Sequence, residues 1–160
     1  MQENTRLIEE HRGAAFTEVE ILKQLASKTD SGPAGLMGDT HLKKLQKSVP
    51  KIDNRSEAYA FTHEILFASD FGRISLKDKG IDLPAIEKLL DRLVEEYAGD
   101  TDVLGEILIV AECIEYSSPR LKEGLDVFNK AWKALSRDSK DFAENYHTLL
   151  VGGILYTMLE

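Results

Sequence analysis

Along most of the chain apolar residues recur every three to four positions, the period of an α-helix, and no stretch alternates apolar with polar long enough to suggest a half-buried strand. The pattern predicts helices over 3–27, from Asp39 or Thr40 to Gln46, and over 55–69, 83–98, 102–116, 119–135 and 140–159. Start signals fall where the periodicity needs them: Asp53 or Asn54, Asp82 with Pro84, Asp100-Thr101-Asp102, and Ser118 with Pro119. Gly72 and Gly99 supply stops. The run Ser31-Gly32-Pro33-Ala34-Gly35 breaks regular structure and reads as an ordinary connector rather than a lid. The expected fold is all-α: a single-domain antiparallel bundle of six or seven helices, with 1–50 giving the N-terminal helices and Gly/Pro loop and 51–160 the central core.

The helices differ in how much polar face they keep. Those over 83–98 and 119–135 are strongly amphipathic, with Ile86, Leu89, Leu90 and Leu93 on one inner face and Leu121, Leu125 and Phe128 on the other, and they form an expected outer layer. The helices over 55–69, 102–116 and 140–159 are apolar nearly all round, which predicts that they are the most buried. Gly152 and Gly153 cost the last of these about 1 kcal/mol each against alanine, so a close neighbour is expected there. On the helix over 102–116, Glu106 and Glu112 lie within about 120° of each other around the axis, and one or both should face inward.

Composition narrows the classes. A chain of 160 residues with 42% hydrophobic content buries one sizeable core. A formal net charge of −8 repels a phosphate backbone, so nucleic acid is not an expected partner. Cys113 stands alone, excluding an intramolecular disulfide, and Met1–Arg12 is polar where a signal peptide needs an apolar run. The longest apolar run, Leu149–Leu159, is about half the roughly 20 residues of a membrane span. A cytoplasmic protein that does not enter membranes is the expectation.

Polar chemistry sits inside the apolar pattern. Tyr59, His63, Phe67 and Asp70 share one broad face of the helix over 55–69, with Thr62 beside them, and His147 lies on the apolar face of the last helix between Tyr146 and Thr148. An imidazole oriented by a carboxylate is the usual general base, which makes His63, His147 and Asp70 the candidate catalytic residues. Tyr59, Thr62, Phe67 and Tyr146 are the candidate binding residues around them. A lone histidine on an apolar face is more often a satisfied core residue; two of them near a carboxylate weaken that explanation. Two histidines and a carboxylate also suit an iron site, but His63 and Asp70 lie about 10.5 Å apart along a straight helix, whereas helix-borne ligands usually sit three or four residues apart. No metal site is expected. Asp70-Phe71-Gly72 spells a kinase tripeptide without the rest of a kinase. Cys113, flanked by Glu112 and Glu115, suits a core residue and not a nucleophile.

The run Thr62-His63-Glu64-Ile65-Leu66-Phe67-Ala68-Ser69-Asp70-Phe71-Gly72 with the later Tyr146-His147-Thr148 resembles a family of all-helical bacterial proteins, mostly actinobacterial, often encoded beside natural-product pathways and without a known activity. The resemblance implies one site containing Thr62, His63, Asp70, Tyr146 and His147; it names no reaction or cofactor. Two classes stay open. One is a small-molecule- or peptide-binding protein or enzyme built on His63, Asp70 and His147. The other is a non-catalytic interaction module, a partner subunit or immunity-type protein whose acidic face binds a basic partner. Oligomeric state is not legible. A pocket open to both imidazoles favours the first class; a filled core with an exposed apolar patch favours the second.

Overall fold

The local signals that start the helices act as the sequence suggests. In this computed structural model, which describes residues 34–135 and 142–159, the elements are α1 (Ala34–Lys47), α2 (Arg55–Ala68), α3 (Leu83–Glu96), α4 (Thr101–Cys113), α5 (Pro119–Ala134) and α6 (Phe142–Leu159). Asn54 caps α2 by accepting the Glu57 N–H at 3.0 Å, and Asp82 and Ser118 cap α3 and α5 in the same way at 3.1 Å. At the start of α4 the cap is Asp100, which accepts the Val103 N–H at 3.2 Å. The described residues contain no strand, and the fold is all-α as expected.

The chain divides into two compact units, Met1–Met37 and Gly38–Glu160. The helix predicted over 3–27 lies outside the described residues. α1 begins at Ala34 and not at Asp39 or Thr40.

In the second unit, side-chain pairings fix the direction of the helices. Arg55 meets Asp100, Thr62 meets Glu106, and Gly72 lies against Cys113, so α2 and α4 run parallel. His147 meets Asp102 and Val151 meets Gly105, so α6 runs parallel to both. α5 runs the other way: Gly124 faces Leu104 of α4, and Trp132 and Asn129 face Gly152 and Tyr156 of α6. Asp91 of α3 meets Ser118 and Val94 faces Gly124, so α3 runs with α5 and the helices from α2 to α6 alternate in direction; α4 packs against α2, α3, α5 and α6. Every residue from Val103 to Ala111 is buried. Phe61 and Ile65 of α2, Leu90 and Leu93 of α3, Phe128 of α5 and Leu155 of α6 close around it.

One expectation about burial is corrected. α6 was predicted to be among the most buried helices, yet Tyr146 and Leu150 on its outer face are 42% and 54% exposed. Because α6 is apolar on all sides, its pattern carries no sign of which face turns outward. The glycine pair also splits. A Cβ on Gly152 would lie 2.0 Å from Trp132 Nε1, whereas Gly153 has open space. The close neighbour is therefore α5.

Among the described residues no helix is long and apolar enough to cross a membrane.

Candidate functional site

The parallel run of α2, α4 and α6 brings three polar positions of one level together. On α4, Asp102 and Glu106 are one turn apart and share a face. Gly105 beside them has no side chain, and a Cβ there would come within 2.5 Å of Val151 and 2.7 Å of Phe128. That absence lets α6 approach α4, and His147, one turn before Val151, reaches the carboxylates.

Glu106 is the centre. It is 3% exposed, and the Thr62 hydroxyl donates to its Oε2. Its Oε1 lies 3.2 Å from His63 Nε2 and 3.7 Å from His147 Nε2. The two imidazoles, 15% and 23% exposed, therefore flank one carboxylate oxygen. Asp102 forms the second focus: its Oδ1 lies 2.6 Å from His147 Nδ1 and accepts from Thr148 at 3.3 Å, and its Oδ2 accepts from Tyr59 and from Arg55 at 3.4 Å. Burial pushes the Asp102 carboxyl up, but hydrogen bonds from His147 and Tyr59 and the charges of His147 and Arg55 outweigh it, leaving its pKa below the ordinary value. Burial and the bond to Asp102 raise the Tyr59 phenol well above its usual range.

The two histidines are not equivalent. His147 faces a carboxylate at each nitrogen. A carboxylate can only accept, so the bond to Glu106 fixes the His63 hydrogen on Nε2; among the described residues His63 Nδ1 makes no hydrogen bond. Rings surround the pair: Tyr59 lies 6.0 Å from His63 and 6.1 Å from His147, Phe67 6.2 Å from His63, and Tyr146 6.3 Å from His147. His41 is half-buried with its ring 5.1 Å from Phe67.

Of the residues singled out in the sequence, Tyr59, Thr62, His63, Phe67, Tyr146 and His147 gather here. Asp70 does not take the orienting role expected of it; Glu106 and Asp102 meet the imidazoles instead. α2 ends at Ala68, and Asp70, Phe71 and Gly72 follow with φ of 46°, 54° and 80°, a left-handed turn that swings the Asp70 carboxylate 3.6 Å from Arg73. The buried Ser69 hydroxyl holds this turn by accepting the Gly72 N–H at 3.1 Å. Asp102 was missed because the acidic start of its helix reads as a cap; with Asp100 doing the capping, Asp102 is left to face α2 and α6. The spacing of Asp102 and Glu106 on an apolar helix is the signal that could have found both.

Among the described residues no group of three or more His, Cys, Asp or Glu side chains is disposed to hold a metal ion. A groove of about 60 Å³ lies further along α4 and α6, against Leu108, Tyr116, Leu125 and Leu155, and holds none of these site residues. Burial pushes the Cys113 thiol up to about 11 against the opposing Ser69 hydrogen bond, which suits a core residue.

Residues 17–157 match a family described as a domain of unknown function, DUF6895. No curated protein and no solved structure matches the chain.

Proposed function

We propose that this chain, which belongs to the DUF6895 family, binds a small molecule or peptide at His63 and is equipped for acid/base chemistry on it. The observation that carries the reading is the asymmetry of the two imidazoles. An imidazole whose Nε2–H is tied to a buried carboxylate presents a basic Nδ1, the arrangement of a hydrogen-bond acceptor or general base. His63 has that arrangement with Glu106 behind it. His147, held by Asp102, positions the cluster and offsets its charge. The natural-product setting implied by the sequence resemblance belongs to this proposal, with a pathway metabolite or modified peptide as ligand.

The test is a fragment screen by nuclear magnetic resonance that follows the histidine ring signals. Ligands that shift the His63 signals should lose binding in His63→Ala while its helical dichroism is retained. Hits that bind His63→Ala as well as they bind the unmodified chain, or a screen in which no hit moves those signals, would refute the proposal.

A second reading, a non-catalytic interaction module, is favoured by one observation. Tyr146 and Leu150, one turn apart, leave an apolar stripe exposed on α6. Under it Leu150→Asp abolishes capture of a partner and His63→Ala leaves that capture intact.

A further inference from the structure

Around His63 the acids outnumber the bases. Among the described residues, Asp100, Asp102 and Glu106 stand against the guanidinium of Arg55, which is committed to Asp100 at 2.6 Å and to Asp102 at 3.4 Å, and against His147, which lies between Asp102 and Glu106. Among the described residues these cations are already paired with carboxylates, and an entering anion would approach the carboxylate of Glu106 behind the imidazole. The rings favour the opposite sign. Aromatic faces attract cations, and the Arg55 guanidinium already sits 4.7 Å from the centre of the Tyr59 ring. Beside it the acceptor side of His63 is left for an N–H donor, with Tyr59 and Phe67 as neighbouring rings.

We infer that the ligand of this site is a small organic cation, an amine whose N–H donates to His63 Nδ1 while its apolar part lies against the rings of Tyr59 and Phe67. This inference rests on the ligand-binding reading and narrows it to a charge class. Recognition needs no covalent step: the amine hydrogen bonds to Nδ1, and Glu106, bonded to Nε2, supplies the compensating charge through the ring.

Three probes with one ring and different head groups decide the matter: benzylammonium chloride, benzyl alcohol and sodium benzoate, titrated into the full chain near neutral pH by calorimetry, with the histidine signals followed in parallel. Benzylammonium should bind and shift His63, with the alcohol and the benzoate weaker by about tenfold or more. Glu106→Gln, which keeps the size and removes the charge, should weaken benzylammonium by about tenfold. His63→Phe keeps a ring, removes Nδ1 and should abolish binding, and it carries the test where Glu106→Gln does not fold. Benzoate or benzyl alcohol binding as tightly as the amine would overturn the inference, as would benzylammonium binding unchanged in both variants, or none of the three binding at His63. Ligands that depend on His63 but carry no positive charge would sink this inference alone. A fragment screen with no His63-dependent ligand would sink the reading beneath it.

Discussion

Removing the small hydroxyl of Thr62 should destabilise the protein more than removing the Glu106 carboxylate it serves. In Thr62→Val the Glu106 Oε2 loses its donor at a site 3% exposed, too enclosed for water to replace it readily. Stranding a buried charged acceptor costs about 2 to 3 kcal/mol. In Glu106→Leu the charge itself is gone. The Thr62 hydroxyl keeps an alternative acceptor, the Tyr59 carbonyl at 3.0 Å, and the Nε2 atoms of His63 and His147 belong to side chains that still reach solvent. Breaking a buried pair is costly when it strands a buried charge; here the desolvation penalty of Glu106 goes with it and the partners left behind keep an acceptor or reach solvent, so this change should cost about 1 kcal/mol or less. In the double variant Thr62→Val adds little, leaving a coupling of about 1 to 2 kcal/mol. The assay is guanidinium unfolding followed by helical dichroism, with slopes unchanged across the cycle. A Glu106→Leu cost larger than that of Thr62→Val, or strict additivity, would refute the reasoning.

Asp102 has a depressed pKa in the folded chain, so its carboxylate contributes stability that is fully present above its unfolded value and is lost as pH falls below about 4. The stability gap between the unmodified chain and Asp102→Asn should therefore narrow with acidification through that window, and a flat gap would exclude the linkage. The adjacent glycines of α6 should respond with opposite signs to alanine. At Gly152 the new Cβ meets Trp132 at 2.0 Å and should cost about 1 to 3 kcal/mol, whereas at open Gly153 it should add about 0.5 to 1 kcal/mol, both read as unfolding midpoints. Asp70→Gly relieves a left-handed backbone at the expense of an exposed ion pair worth little, and should raise stability by up to about 1 kcal/mol. Ligand titration of that variant should match the unmodified chain; a loss of binding would return Asp70 to the site.

Much of the fold could be read from local signals. α3 and α5 carry a charged face opposite a leucine-rich one, and their caps lie one residue before the pattern begins. Glu106 was legible as an inward-facing acid, though not which of Glu106 and Glu112 it would be; Glu112 is exposed. What failed depended on where a helix stops or which way it faces. Asp70 shares a face with His63 only if the helix continues through it. α2 ends two residues earlier, and the left-handed turn redirects the carboxylate. α6 gave no facing because it has no polar side. That His63 and His147 share one site was expected; that Glu106 lies between them was not, since it depends on alternating helices that place α2 and α6 parallel on either side of α4.

The polar cluster is not what holds these helices in register. Gly105 against Val151 and Phe128, and Gly152 against Trp132, fix how α6 meets α4 and α5, and none of those contacts involves a charge. Leu155 and Val151 bury the same helix a turn or two past His147. A scaffold built this way would close equally well around apolar residues at positions 62, 63 and 106, and would avoid the desolvation of a carboxylate in its centre. The apolar contacts position the imidazoles and carboxylates; the imidazoles and carboxylates do not position the helices. Polar groups carried at a cost by a framework that does not need them are the arrangement expected of a site kept for what it binds.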